Sequence, residues 1–82
     1  MPEICRFLGI VITMYFDDHN PPHFHVRYNE HRATMSIENL NVIKGALPVR
    51  VRGLVQEWAE EHRGELLHIW RTNEFLKIAP LV

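Results

Sequence analysis

The stretch His23-Phe24-His25-Val26-Arg27-Tyr28-Asn29-Glu30-His31-Arg32-Ala33-Thr34-Met35-Ser36-Ile37 decides the fold. Side chains alternate across a β-strand, so residues two apart share a face. Phe24, Val26 and Tyr28 fall on one side of the first run; His23, His25 and Arg27 fall on the other. In the second run Ala33, Met35 and Ile37 alternate with Arg32, Thr34 and Ser36, and Asn29-Glu30 supplies a tight turn between the runs. The two alternations match in one hairpin with an apolar inner face and a polar outer face. A two-stranded hairpin is marginal in water, so its apolar face calls for more strands and a covering layer.

Both are legible on either side. Upstream, Gly9–Phe16 reads as a strand buried largely on both faces, and Asp17-Asp18-His19-Asn20-Pro21-Pro22 breaks it, because proline cannot donate to a ladder. Downstream, Asn41–Lys44 reads as a short strand ended by Gly45. Beyond it the β-branched character gives way to Glu, Arg, Leu and Trp. Pro48 suits a helix start, and Val51, Leu54, Val55, Trp58 and His62 follow helical spacing, with Leu66, Ile69 and Trp70 extending the stripe. Gly64 interrupts it and predicts two segments or one kinked helix. Arg52, Glu57, Glu60, Glu61, Arg63, Glu65 and Arg71 fall mainly on the wet side, and Phe75–Ile78 reads as a closing edge strand. The expected fold is α+β: one domain over 1–82, an antiparallel sheet of three to five strands, and a kinked C-terminal helix or helix pair on its apolar face.

Length and charge set the function classes. Eighty-two residues are too few for a two-lobed enzyme or a doubly wound nucleotide fold. A net charge of −1 argues against a constitutive binder of nucleic acid, although protonating all six histidines would carry it to +5. A lone Cys5 excludes an internal disulfide and a multi-cysteine zinc site, and reads as a small apolar residue. No secretory signal and no membrane-length apolar run is visible, so a reduced, cytoplasmic setting is expected.

The chemistry concentrates in Asp17–Tyr28. His23 and His25 emerge on one face of a strand, His19, Asp17 and Asp18 lie one proline-stiffened loop away, and Arg27 continues the polar row. Four readings stay open: a metal site completed by His19, Asp17, Asp18 or Glu30; acid–base catalysis on a phosphodiester, with His19, His23, His25 and Arg27 as candidates; a recognition face of His19, His23, His25, Arg27 and Arg32; or histidines that merely hold their loop. His23-x-His25-x4-Glu30 matches the first metal motif of cupins only weakly, since the downstream histidine motif and the barrel length are lacking. The expectation is no cofactor and no tightly bound metal. Trp58 and Trp70 read as core, His62 as half-buried and His68 as solvent-facing, and no triad or serine elbow is visible.

The run Met14–Val26, with Ile43-Lys44-Gly45-Ala46-Leu47-Pro48, Val55–Arg63 with Glu65-Leu66-Leu67, and Lys77–Leu81, resembles a small bacterial family of domains of unknown function. The resemblance implies an intracellular protein of a kind often labelled a transcriptional regulator and encoded beside a second small domain, as in toxin–antitoxin-like pairs. It carries over no catalytic residue, and no helix-turn-helix with a basic recognition helix is visible. The function expected is a small regulatory module that binds a cognate small protein, with nucleic acid or a second copy as further candidates; the alternative is a histidine-centred hydrolase, most plausibly a ribonuclease toxin. Whether any reaction is catalysed is left open.

Overall fold

The computed structural model describes residues 2–15 and 18–82. Five strands run in order along the chain: β1 (Glu3–Phe7), β2 (Ile10–Thr13), β3 (His23–Tyr28), β4 (His31–Ser36) and β5 (Val42–Gly45). Each pairs antiparallel with the next, so the sheet is a simple meander. Helices α1 (Val49–Glu61) and α2 (Arg63–Thr72) follow. The fold is α+β.

The central hairpin has the register that its alternation demands. His23 stands opposite Ser36, His25 opposite Thr34, Arg27 opposite Arg32, and Phe24 opposite Met35. Asn29 makes the turn with a positive φ of 53°, which asparagine tolerates better than most residues. Phe24, Val26, Met35 and Ile37 lie buried in one core with Val51, Val55 and Trp58, and Tyr28 and Leu54 pack at its margin. Ala33 is buried beside this cluster, opposite Gly45. Trp58 is fully buried between Phe7 and Phe24, with ring centroids 6.2 and 6.1 Å away, and its Nε1 donates to the Ala79 carbonyl at 2.9 Å.

Several expectations need correction. The strand expected over Gly9–Phe16 is shorter, Ile10–Thr13, because Leu8 and Gly9 both take positive φ to make the turn into it; Phe16 lies outside the described residues. A strand precedes it that alternation did not reveal. A register shift between Glu3 and Cys5 leaves both Ile4 and Cys5 buried, which erases the period of two. The segment at Phe75–Ile78 is not a strand; it lies along β1, where the Ile78 N–H donates to the Ile4 carbonyl at 2.8 Å. The helical stripe divides at His62 rather than at Gly64, which sits inside the first turn of α2. Arg63, assigned to the wet side, instead turns inward and donates its Nε–H to the Ile37 carbonyl at 3.1 Å. That bond ties the start of α2 to the end of β4.

Candidate functional site

Two features occupy the polar side of the sheet. The first is a trough of about 510 Å³ lined by residues from all five strands. Pairing explains its lining: Val11 stands opposite Arg27, Thr13 opposite His25, and Lys44 opposite Thr34, so alternate residues of neighbouring strands converge on one surface. Arg27, Arg32 and Lys44 are exposed there. Among the described residues none of the three forms an ion pair. The one carboxylate in the lining, Glu3, is bonded to Arg6 at 2.7 Å and has Lys77 at 3.9 Å. The Arg6 hydrogen bond, followed by the charges of Arg6, Lys77 and Arg27, outweighs burial and holds the Glu3 carboxyl below its ordinary range. It stays charged but already engaged, and the trough is a net cationic surface.

The second feature lies at the end of the trough, where β3 begins. Loop 18–22 folds back on the strand so that Asp18 meets both histidines. Asp18 Oδ2 is 2.9 Å from His23 Nε2 and 3.1 Å from His25 Nε2. The outer atoms are held as well: His23 Nδ1 is 2.7 Å from the Pro21 carbonyl oxygen, the His19 amide donates to Asp18 Oδ1 at 2.9 Å, and Thr34 Oγ1 is 3.5 Å from His25 Nδ1. Burial opposes a charge on Asp18. The hydrogen bonds from His25, the His19 amide and His23, with the charge His23 carries when protonated, outweigh it and hold the carboxyl below its usual range. His23 is buried, with its imidazole edge-on to His25 at 5.0 Å and 5.1 Å from the Trp70 indole. Tyr15 packs edge-on against His25 at 4.5 Å.

The candidates of the sequence reading thus separate. His23, His25 and Asp18 come together; His25, Arg27 and Arg32 line the trough. His19 contributes its amide alone to this cluster, and its side chain is exposed. Glu30 sits at the far end of the β3–β4 hairpin, beside His31, which removes the cupin-like pattern. Asp17 lies outside the described residues. Lys44, Tyr15 and Trp70 are additions. Trp70 is half-buried, packed against the margin of the core and 5.1 Å from the His23 ring. His62 is half-buried against Trp58 with Nδ1 2.5 Å from Glu65, and His68 is exposed beside Glu74 at 3.0 Å.

A small α+β meander with a basic trough and a histidine–aspartate cluster at its end defines the class of protein. The sequence model of a domain of unknown function, DUF4160, matches residues 9–71, and the chain belongs to that family. The match takes in both features except the edge residue Glu3. No curated protein and no solved structure matches the chain. No helix among the described residues is long and apolar enough to cross a membrane.

Proposed function

We propose that this protein is a binding module whose outer sheet face takes up an acidic segment of a cognate small protein. The observation that carries this reading is the trough: Arg27, Arg32 and Lys44 share one concave face, and among the described residues none of them forms an ion pair. Three cations gathered on one surface repel one another, a cost that an anionic ligand relieves. The trough spans a sheet in a molecule of 30 × 25 × 22 Å, a span that suits a short peptide segment. A net charge of −1 favours a protein over a phosphate backbone, since nucleic-acid binders gather a broad positive field. The resemblance to domains encoded in pairs supports a cytoplasmic regulatory role with a companion protein, in the manner of a toxin–antitoxin pair.

The test is fluorescence anisotropy with a glutamate-rich peptide and, in parallel, an RNA oligonucleotide. The peptide should bind the wild type, and binding should weaken with salt over the range where the screening length falls from about 30 to about 8 Å. The Arg27→Ala, Arg32→Ala, Lys44→Ala variant should lose more than about tenfold in affinity, the sum of three pairs at about 0.5–1 kcal/mol each. Equal affinity in a folded variant would return the face to solvation alone. Binding of RNA in preference to the peptide would move the partner to nucleic acid.

One observation favours a second reading, a histidine-centred hydrolase of the ribonuclease type. His23 and His25 share a carboxylate at the end of a trough that carries Arg27. A His25→Ala variant separates the two readings: a hydrolase loses turnover of RNA and keeps its affinity for it.

A further inference from the structure

A neutral imidazole at His23 cannot satisfy both of the acceptors that its ring nitrogens face. The Pro21 carbonyl can only accept, so His23 Nδ1, 2.7 Å away, carries a hydrogen. In a neutral ring this leaves Nε2 as a bare lone pair, yet it stands 2.9 Å from Asp18 Oδ2, a second acceptor. His25 Nε2 comes within 3.1 Å of the same oxygen. Two acceptors at that distance repel unless positive charge lies between them. A second proton on His23 supplies it in one way and a cation in another.

Three details of the cluster favour the cation. First, one atom each from Asp18, His23 and His25 lies within 4.8 Å of the others, so all three can share one centre. Bonds of about 2.0–2.1 Å set tetrahedral ligand edges of about 3.3 Å. The observed separations of 2.9 and 3.1 Å reach this with an outward shift of a few tenths of an ångström. Second, every ligand is held from behind: His23 by Pro21 O, Asp18 by the His19 amide, and His25 by Thr34 Oγ1. Ring N–H groups donated to oxygen are the usual outer shell of a metal-bound histidine, fixing tautomer and orientation. Third, Asp18 and Tyr15, Asn20, Trp70 and Asn73 line a small cavity of about 180 Å³ beside the cluster, room for a fourth ligand.

We infer that Asp18, His23 and His25 form a site for a divalent transition metal of the zinc class, bound through Asp18 Oδ2 and the two Nε2 atoms, with one position open toward the Tyr15–Trp70 cavity. This reverses the expectation drawn from the sequence. Two imidazoles select such an ion against magnesium and calcium, which take oxygen. Three protein ligands and an open position are the pattern of zinc sites that accept water or a substrate rather than of closed structural ones.

The experiment is titration of the chelator-treated, dialysed chain with zinc against a chromophoric competitor, with cobalt(II) absorption reporting the coordination. The wild type should bind one equivalent, show d–d bands of a low-coordinate cobalt site, rise in thermal midpoint with zinc by mass action, and give no response to magnesium. Asp18→Asn and His25→Gln should each weaken zinc by more than about tenfold, and Thr34→Val by about tenfold with stoichiometry kept. His68→Ala, on the exposed end of α2, and the Arg27, Arg32, Lys44 variant should bind as the wild type does. The trough variant keeps this test distinct from that of partner binding. His25→Gln and Asp18→Asn read the site even where replacing the buried His23 unfolds the chain. Unchanged zinc affinity in both, or no zinc-dependent rise in the wild type's midpoint, would overturn the assignment.

Discussion

Trp58→Ala should remove about 3–5 kcal/mol of folding stability, the cost of emptying a large aromatic site that the surroundings cannot collapse into. Trp58 is fully buried, and it packs on Phe7 of β1, Phe24 of β3 and His62 at the helix break. The lost bond to Ala79 adds little, because Ala79 is exposed and its carbonyl can turn to water. A chain of this length has about 4–12 kcal/mol in total, so the variant should lose a quarter or more of its stability and unfold at a much lower urea concentration. Trp58→Phe keeps the ring contacts and should cost distinctly less. Urea denaturation followed by far-ultraviolet circular dichroism measures both, and a Trp58→Ala midpoint equal to the wild type's would refute the packing.

Gly45→Ala should cost about 2–4 kcal/mol, although it adds a single methyl group. Gly45 has φ +80°, a region that costs an L-residue about 1–2 kcal/mol. A Cβ there would also fall 2.2 Å from the Arg32 carbonyl oxygen and 3.0 Å from Ala33 Cα. Both are backbone atoms of β4, so relief requires β5 to separate from it. The Ala46 N–H bond to Arg32 O, 3.2 Å long, would go with it. The functional consequence follows from register: Lys44 faces Thr34 only while β5 is paired, so the same substitution should weaken binding at the trough. Gly53→Ala and Gly64→Ala are the contrast. Both are helical with nothing within 4 Å of the added carbon, and each should stabilise by about 0.5–1 kcal/mol. Chemical denaturation of the three variants reads this directly; a Gly45→Ala as stable as Gly53→Ala would show that β5 does not close on β4.

These two positions show what could be read in advance. Trp58 lies on a stripe of helical spacing, and its burial was legible because the stripe has one core to face. Gly45 was legible as a strand end. Its steric role was not, since the atoms it would meet belong to residues twelve and thirteen positions earlier.

By itself the sequence determined the central hairpin, its inner and outer faces, the two-part helical stripe and the α+β class, because each rests on periodicity within one segment. It placed His23, His25 and Arg27 on a common face for the same reason. It also missed β1, where a register shift breaks the alternation, and placed the helix break at Gly64 rather than His62. Only the tertiary structure decided which acid meets the histidines. Asp17, Asp18, His19 and Glu30 were equal candidates along the chain, and the path of loop 18–22 brings Asp18 to both rings while the hairpin carries Glu30 to the opposite end. The trough was legible only in part: the hairpin alternation put Arg27 and Arg32 on one outer face, and Lys44 was missed. Lys44 joins them only because β5 pairs with β4, which sets it opposite Thr34, an interaction that spacing along the chain does not encode.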